Sequence, residues 1–274
     1  MTRYADLHIH TYFSDSSQSP HEVIEQARSA DLSCIAITDH DNVDGIGPAI
    51  EAAKRYDIEV IPGIELSCET NSRDIHILGY LFDYKDKELK KLITLYQDAR
   101  MTRMEKMIAK LKNLGIGDIT LEQVCAQSKS KSVGRPHLAT LLLEKGHVST
   151  MKAAFDKYLG EGGAAYETKF KQTPQEAIAL INKLGGVSVL AHPMHTQRDE
   201  IIPSLVEAGL KGIEVYYPNN TDAITGFYEK LAKKHNLIMT GGSDAHGEKK
   251  RHTYVGKTKV PYELVEKMKN AVGR

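Results

Sequence analysis

Residues 34–41 read CIAITDHD: an unbroken apolar run, Cys34–Thr38, stops on three polar residues, Asp39, His40 and Asp41. A short run of this kind reads as a strand buried on both faces, as in a parallel sheet covered by helices. The same grammar repeats outward from it. Before it, Tyr4–His10 reads as a strand, and Pro20–Ala30 carries apolar residues at helical spacing with Pro20 suited to a first turn. After it come a helix near Ile46–Arg55 and strand candidates at Ile58–Ile61 and Ile75–Phe82. From residue 173 the alternation resumes, with helices at Pro174–Leu184, Ile201–Ala208 and Asp222–His235. Strands at Val187–Ala191, Gly212–Tyr216 and Leu237–Thr240 fall between and after them. Repeated β-α units of this kind predict a parallel, barrel-like α/β sheet.

The stretch from Lys85 to Tyr166 breaks that rhythm. It reads as helix almost throughout, at Asp86–Asn113, Leu121–Gln127, Pro136–Glu144 and Met151–Tyr158. The expected organisation is therefore a barrel from residues 1–84 and 167–274, with a helical insertion or cap domain over 85–166. Residues 99–172 hold 13 of the 36 basic residues and only 7 of the 36 acidic ones, so the remainder has 23 basic against 29 acidic. Any single lysine there reads best as solvated surface. Collectively, a basic cap over an acidic barrel would draw in an anionic substrate.

The bulk composition excludes several classes. The chain of 274 residues is long enough for a large core. Its formal charge of zero argues against a binder of long nucleic acid, whose affinity rests on neutralising phosphates. Trp is absent and aromatics are 7%, so nothing suggests a carbohydrate or base-stacking platform. Cys34, Cys68 and Cys125 are odd in number and widely spaced, so they read as small buried apolar residues rather than a disulfide framework. The opening MTRYADLHIH lacks a signal-peptide layout and no apolar run reaches about 18 residues. The expectation is a cytoplasmic protein with no membrane partner.

The chemistry lies at the strand ends. His8 and His10 form an HxH pair on a strand, where residues two apart share a face. Asp15 follows in a polar turn, His40 ends the CIAIT strand, and Glu65 follows EVIPGI. His76 opens IHILGYLF, His192 follows VSVLA, and Asp244 and His246 follow LIMTGG. One such residue alone reads best as a satisfied core or surface group. Nine at one topological address, the C-terminal strand ends where barrel enzymes place their sites, read as metal ligands. N and O donors without thiolate suit Zn²⁺, Mn²⁺ or Fe²⁺, with Mg²⁺ a further option. Nine donors exceed what one ion uses, so two or three divalent ions are expected. Two ions about 3.5–4 Å apart lower the pKa of a shared water and clamp the attacking and leaving oxygens, which favours hydrolysis of a dianionic phosphoryl group. Asp39 and Asp41 flank His40 as either orienters of the ligands or helix caps.

The motifs DLHIHTYFSDSSQSP, AITDHDNVDG, GIELSC, HILGY, VLAHP and GGSDAH, all in order, resemble those of the polymerase and histidinol phosphatase (PHP) superfamily. The match is to its bacterial metal-dependent phosphoesterase branch, which includes nucleoside 3′,5′-bisphosphate phosphatases. The resemblance runs from about residue 4 to 256. It implies a distorted seven-stranded β/α barrel with a trinuclear metal centre held by His8, His10, Asp15, His40, Glu65, His76, His192, Asp244 and His246. The segment VGRPHLATLLLEKG resembles the insertion-domain motif, which implies that Arg135 and His137 face a substrate phosphate. Many relatives carry a basic residue just after AHP, where this chain has Met194 and His195, with Arg198 further on.

The expected activity is hydrolysis, by a metal-activated hydroxide, of phosphate esters of small nucleotides (3′,5′-bisphosphonucleotides or 3′-phosphates) or short oligonucleotides. Alternatives are a histidinol-phosphate phosphatase and a catalytically silent metal-binding module, the latter opposed by the intact ligand set. An amidohydrolase would normally add a metal-bridging Lys, and no Lys stands at a strand end. His21, His147, His235 and His252 lie outside the motifs.

Overall fold

A computed structural model describes residues 2–70, 73–127, 133–168, 172–250 and 253–274, so His252 lies outside the described residues. The strands are β1 (Tyr4–Ile9), β2 (Cys34–Ile37), β3 (Glu59–Thr70), β4 (Arg73–Tyr80), β5 (Val187–Leu190), β6 (Gly212–Tyr216), β7 (Ile238–Gly241) and β8 (Val260–Pro261). Among the described residues they form one sheet in the order β7-β6-β5-β4-β3-β2-β1-β8. Beyond β7 the chain runs alongside β1: Asp244 N–H donates to His8 O at 2.8 Å and His10 N–H to Ala245 O at 3.1 Å. Seven strands thereby nearly close a barrel, and the two-residue β8 adds an eighth on the edge of β1. At the closure a side chain on Gly242 would collide with the His8 backbone and with Asp6, so glycine is required there.

The sheet is not wholly parallel, as the β-α rhythm predicted. β4 runs antiparallel to both β3 and β5. Only two residues separate Thr70 from Arg73, and a parallel pair needs a crossover of a dozen or more. β3 is also longer than the Ile58–Ile61 expected. Its first part pairs with β2 up to Ile37↔Pro62, and its second pairs with β4 from Gly63↔Tyr80 onward. Pro62 and Gly63, which read as a turn, mark this change of partner inside one strand.

Period-2 alternation then sorts the side chains. In β3, Ile61, Gly63 and Glu65 share one face; in β4, Tyr80, Leu78 and His76 do. Ile61, Leu78 and Tyr80 join Cys34, Ala36, Val187 and Val189 in an interior cluster. The terminal helix α11 (Glu263–Ala271) closes that cluster with Val265 and Met268. Glu65 and His76 continue the same faces toward the opposite end. The outer faces pack under α1 (Pro20–Ser29), α2 (Ile46–Ala53), α7 (Pro174–Lys183), α9 (Ile202–Glu207) and α10 (Asp222–Lys234). α1 and α7 start on capping boxes, Ser19 with Glu22 and Thr173 with Glu176, each followed by proline. α8 (Pro193–Thr196) is a single turn after β5.

Between β4 and α7 lie α3 (Lys87–Asn113), α4 (Leu121–Gln127), α5 (Arg135–Glu144) and α6 (Met151–Ala154), the last running into a π-helical turn at Phe155–Leu159. These helices have a hydrophobic cluster of their own, including Met107, Leu111, Val124, Leu138 and Leu142. α3 serves two cores: Leu89, Ile93 and Tyr96 pack in the barrel's outer cluster, and Met104 onward in the helical one. Cys34 and Cys68 are buried and Cys125 is half-buried, all as free thiols. No helix is long and apolar enough, among the described residues, to cross a membrane.

Candidate metal centre

Glu65 is the hub. Its carboxylate is 1% exposed and lies among five imidazoles. Oε1 is 2.7 Å from His76 Nδ1 and 3.0 Å from His192 Nε2; Oε2 is 3.1 Å from His10 Nε2, 3.2 Å from His40 Nδ1 and 3.3 Å from His8 Nε2. The fold explains this convergence. Glu65 and His76 are diagonal neighbours on one face, because Ser67 pairs with His76 and Glu65 with Leu78. His40 follows β2 and bridges directly to Glu65. His76 lies within β4 rather than opening it, and Glu65 lies within β3 rather than following it. Because β4 is antiparallel, its N-terminal half reaches the barrel end that the parallel strands reach with their C-termini.

The other candidates sit around this hub. Asp244 Oδ1 is 3.2 Å from His10 Nε2 and 3.5 Å from His8 Nε2, and Asp15 Oδ1 is 3.2 Å from His246 Nε2. Among the described residues, donor atoms form three overlapping groups, each within 4.8 Å: His10, Asp15, His40 and His246; His8, His10, Glu65 and Asp244; His40, Glu65 and His76. His192 belongs to none of the three but touches Glu65. A divalent cation fits this donor set. His8 Nε2 and His10 Nε2 face each other at 3.1 Å with two carboxylate oxygens alongside, and one proton cannot serve four such atoms. Burial opposes charge on Glu65, but His40, His76 and His8 outweigh it and hold its carboxyl well below the usual range.

Three backbones at the site occupy the left-handed region: Asp41 at φ 46°, His192 at φ 25° and Asp244 at φ 50°. Such conformations persist where surrounding bonds over-determine them. Glu214 does so for His192, accepting its N–H at Oε2, 2.8 Å, while Oε1 lies 2.9 Å from His8 Nδ1. Tyr217 Oη donates to Asp244 Oδ2 at 2.6 Å. Neither Glu214 nor Tyr217 was picked out from the sequence. A signal existed for Glu214, a lone charge in the buried strand GIEVY.

Neither Asp39 nor Asp41 caps a helix, since Gly45 holds the N-cap of α2. Asp39 accepts from Thr11 N–H and Oγ1 at 2.7 Å and from Ser14 Oγ at 2.6 Å, which folds the turn between His10 and Asp15. Asp41 accepts from Ser67 N–H at 2.8 Å and pairs with Arg100 of α3, tying the helical segment to the barrel beside His40. His137 is buried at 1%; its Nδ1 accepts from Gly134 N–H at 3.0 Å at the start of α5, and it does not line the cavities over the cluster. Arg135 does line one of them, with Arg100 and Arg103, above His40 and His76. Its guanidinium donates to Asp74 Oδ2 at 2.7 Å and to Leu159 O at 3.2 Å. Burial and then the neighbouring Arg135 charge bring Arg103 down to about 10. The three guanidinium groups border a cavity of about 160 Å³ that Asp15 and Asp74 also line.

A barrel mouth with an N/O donor cluster under an arginine cavity defines a phosphoesterase that works through bound metal. The chain belongs to the PHP domain family, which matches residues 6–184. Among curated relatives it is 29% identical over 255 residues to phosphoribosyl 1,2-cyclic phosphate 1,2-diphosphodiesterase of Eggerthella lenta, covering 92% of this chain and 97% of that protein. It is 30% identical over 258 residues to 3′,5′-nucleoside bisphosphate phosphatase of Chromobacterium violaceum, covering 92% and 90%. It is 31% identical over 252 residues to a 5′-3′ exoribonuclease of Haemophilus influenzae, covering 90% and 91%. The crystal structure of a protein assigned as a metal-dependent phosphoesterase from Bifidobacterium adolescentis superposes with a TM-score of 0.88 at 29% identity, over 98% of both chains.

Proposed function

We propose that this phosphoesterase hydrolyses phosphate esters of small nucleotides, such as 3′,5′-bisphosphonucleotides or 3′-phosphates, or short oligonucleotides. The observation that carries the reading is the junction of two features: the Glu65-centred cluster, and the cavity of Arg100, Arg103 and Arg135 directly above His40 and His76. One group offers sites for cations that polarise a phosphoryl group, the other a seat for a second anionic group. The nucleotide activities of the Chromobacterium and Haemophilus relatives support the same class.

The proposed ligands are His8, His10, Asp15, His40, Glu65, His76, His192, Asp244 and His246, holding two or three divalent ions. Bound there, such ions supply Lewis acidity toward the phosphoryl oxygens and lower the pKa of a nucleophilic water. The protein's own groups do the rest. Glu65 fixes five imidazoles relative to one another, and Glu214 and Tyr217 hold His8 and Asp244 in orientation. The helical segment, over 85–166, acts as a cap that brings Arg135 to the substrate and excludes water.

The test is turnover by Mn²⁺-loaded protein across a panel of phosphomonoesters and phosphodiesters. Nucleoside 3′,5′-bisphosphates and short oligonucleotides should exceed histidinol phosphate, and preference for histidinol phosphate would overturn the reading. Metal analysis after reconstitution with excess Mn²⁺ or Zn²⁺ should find two or three ions per chain; one or fewer removes the proposed ligand count.

Arg135 provides a second check. Its planar fork cannot be replaced by Lys at a bidentate phosphate contact. Arg135→Lys and Arg135→Ala should lower kcat/KM on a nucleoside bisphosphate roughly tenfold or more beyond any loss on p-nitrophenyl phosphate, which lacks the second anion. If the two substrates lose equally, in a variant that melts like wild type, Arg135 acts only through its Asp74 and Leu159 contacts.

A further inference from the structure

The space over the cluster has two lobes of opposite character. The smaller, about 160 Å³, holds the three arginines. The larger, about 630 Å³, is lined, beyond the cluster itself, by Tyr217, His195, Phe155, Met151, Asn219 and Ile224, among others. Among the described residues no Lys or Arg lines it, and its only carboxylates, Asp15, Glu65 and Asp244, belong to the cluster. Asp15, His40 and His76 line both lobes, as do Pro136 and Phe155 of the helical segment. The candidate metal centre therefore lies at the junction of an anion seat and a neutral, largely apolar space.

Resting on the nucleotide reading above, we propose that the larger lobe seats a single nucleobase, with the scissile ester at the junction and a second phosphate among the arginines. The rings assembled there come from three separate segments, which explains why a chain with few aromatics gave no sign of a base-binding platform. Tyr217 is fixed by its bond to Asp244, and the His195 ring packs edge-on against it with centroids 4.9 Å apart. Phe155 faces the lobe from the helical side, at the first position of the π-helical turn. Such turns concentrate at functional sites. The Asn219 carboxamide offers a donor and an acceptor to a base edge, and Met151 and Ile224 supply adaptable apolar contact. The volume lies within the range of small-ligand pockets, and ring stacking tolerates any base.

The experiment compares kcat/KM for adenosine 3′,5′-bisphosphate and its base-free analogue with hydrogen at C1′. Wild type, His195→Ala, His195→Phe and Ile224→Asp are assayed with saturating Mn²⁺. Both positions are exposed, Ile224 by 37%, and an acidic residue in the first turn of α10 is favourable, so the variants should fold. Wild type should prefer the base-bearing substrate by about tenfold or more. His195→Ala and Ile224→Asp should bring that ratio toward one through KM, and His195→Phe should keep it. A wild-type ratio near one, or a ratio that neither disruptive variant moves, overturns the base seat and leaves the nucleotide reading intact. Turnover of neither substrate by wild type overturns the nucleotide reading and this assignment with it.

Discussion

Glu65→Ala should lower kcat/KM on a nucleoside bisphosphate by more than the 10- to 100-fold typical of residues that only orient a ligand. The expectation rests on position. One buried carboxylate lies within 3.3 Å of five imidazole nitrogens. Its removal takes an oxygen donor from two of the three overlapping groups at once. His8→Ala and Asp244→Ala each remove a donor from one group and should also lose most turnover. Steady-state kinetics with saturating Mn²⁺, with metal content measured on the same samples, decides the matter. Activity within about threefold of wild type, an effect far smaller than even an orienting residue produces, would contradict the role given to Glu65.

Glu214→Ala should weaken metal binding by about 10- to 100-fold, although Glu214 is no candidate ligand. Both of its oxygens are in use, one beside His8 Nδ1 and the other on the His192 amide. Without it His8 loses the partner that fixes its ring, and a buried N–H loses its acceptor at a cost of about 1–3 kcal/mol. The metal-free protein should therefore melt lower as well. Glu214→Gln keeps the volume and one acceptor, so its losses should be smaller in both measurements. A chelator-buffered metal titration and a melting curve in EDTA separate the two effects. Unchanged metal affinity in Glu214→Ala would show that His8 needs no outer partner.

The apolar runs were legible because burial on both faces leaves a plain signature, as in CIAI of β2, and Pro20 marked the first turn of α1. Candidates such as His40, His192 and Asp244 were legible because polar residues stop those runs abruptly, whereas His8, Glu65 and His76 lie inside their strands. Strand direction was not. Pro62 and Gly63 look like a turn, and only the pairing shows that β3 passes through them, exchanging a parallel partner for an antiparallel one. The supporting shell was also hidden, since Glu214 meets His8 across 206 positions of chain. The GRPH motif was half informative: Arg135 reaches the cavity, and His137 turns inward to cap its own helix.

The sharing of α3 between two cores has a consequence for anyone who would trim or redesign this protein. The helix has 27 residues, so it is a beam of about 40 Å whose first part is clamped in the barrel wall. Arg100, in its middle, is bolted to Asp41 and Ser67 next to the His40 loop. A chain cut back at residue 85 would not be a barrel without its lid. It would be a barrel missing a rib, with the pocket left by Leu89, Ile93 and Tyr96 open to solvent and Asp41 stripped of its cation. A swing of the far helices would likewise be felt through the same beam at Asp41, the residue next to His40.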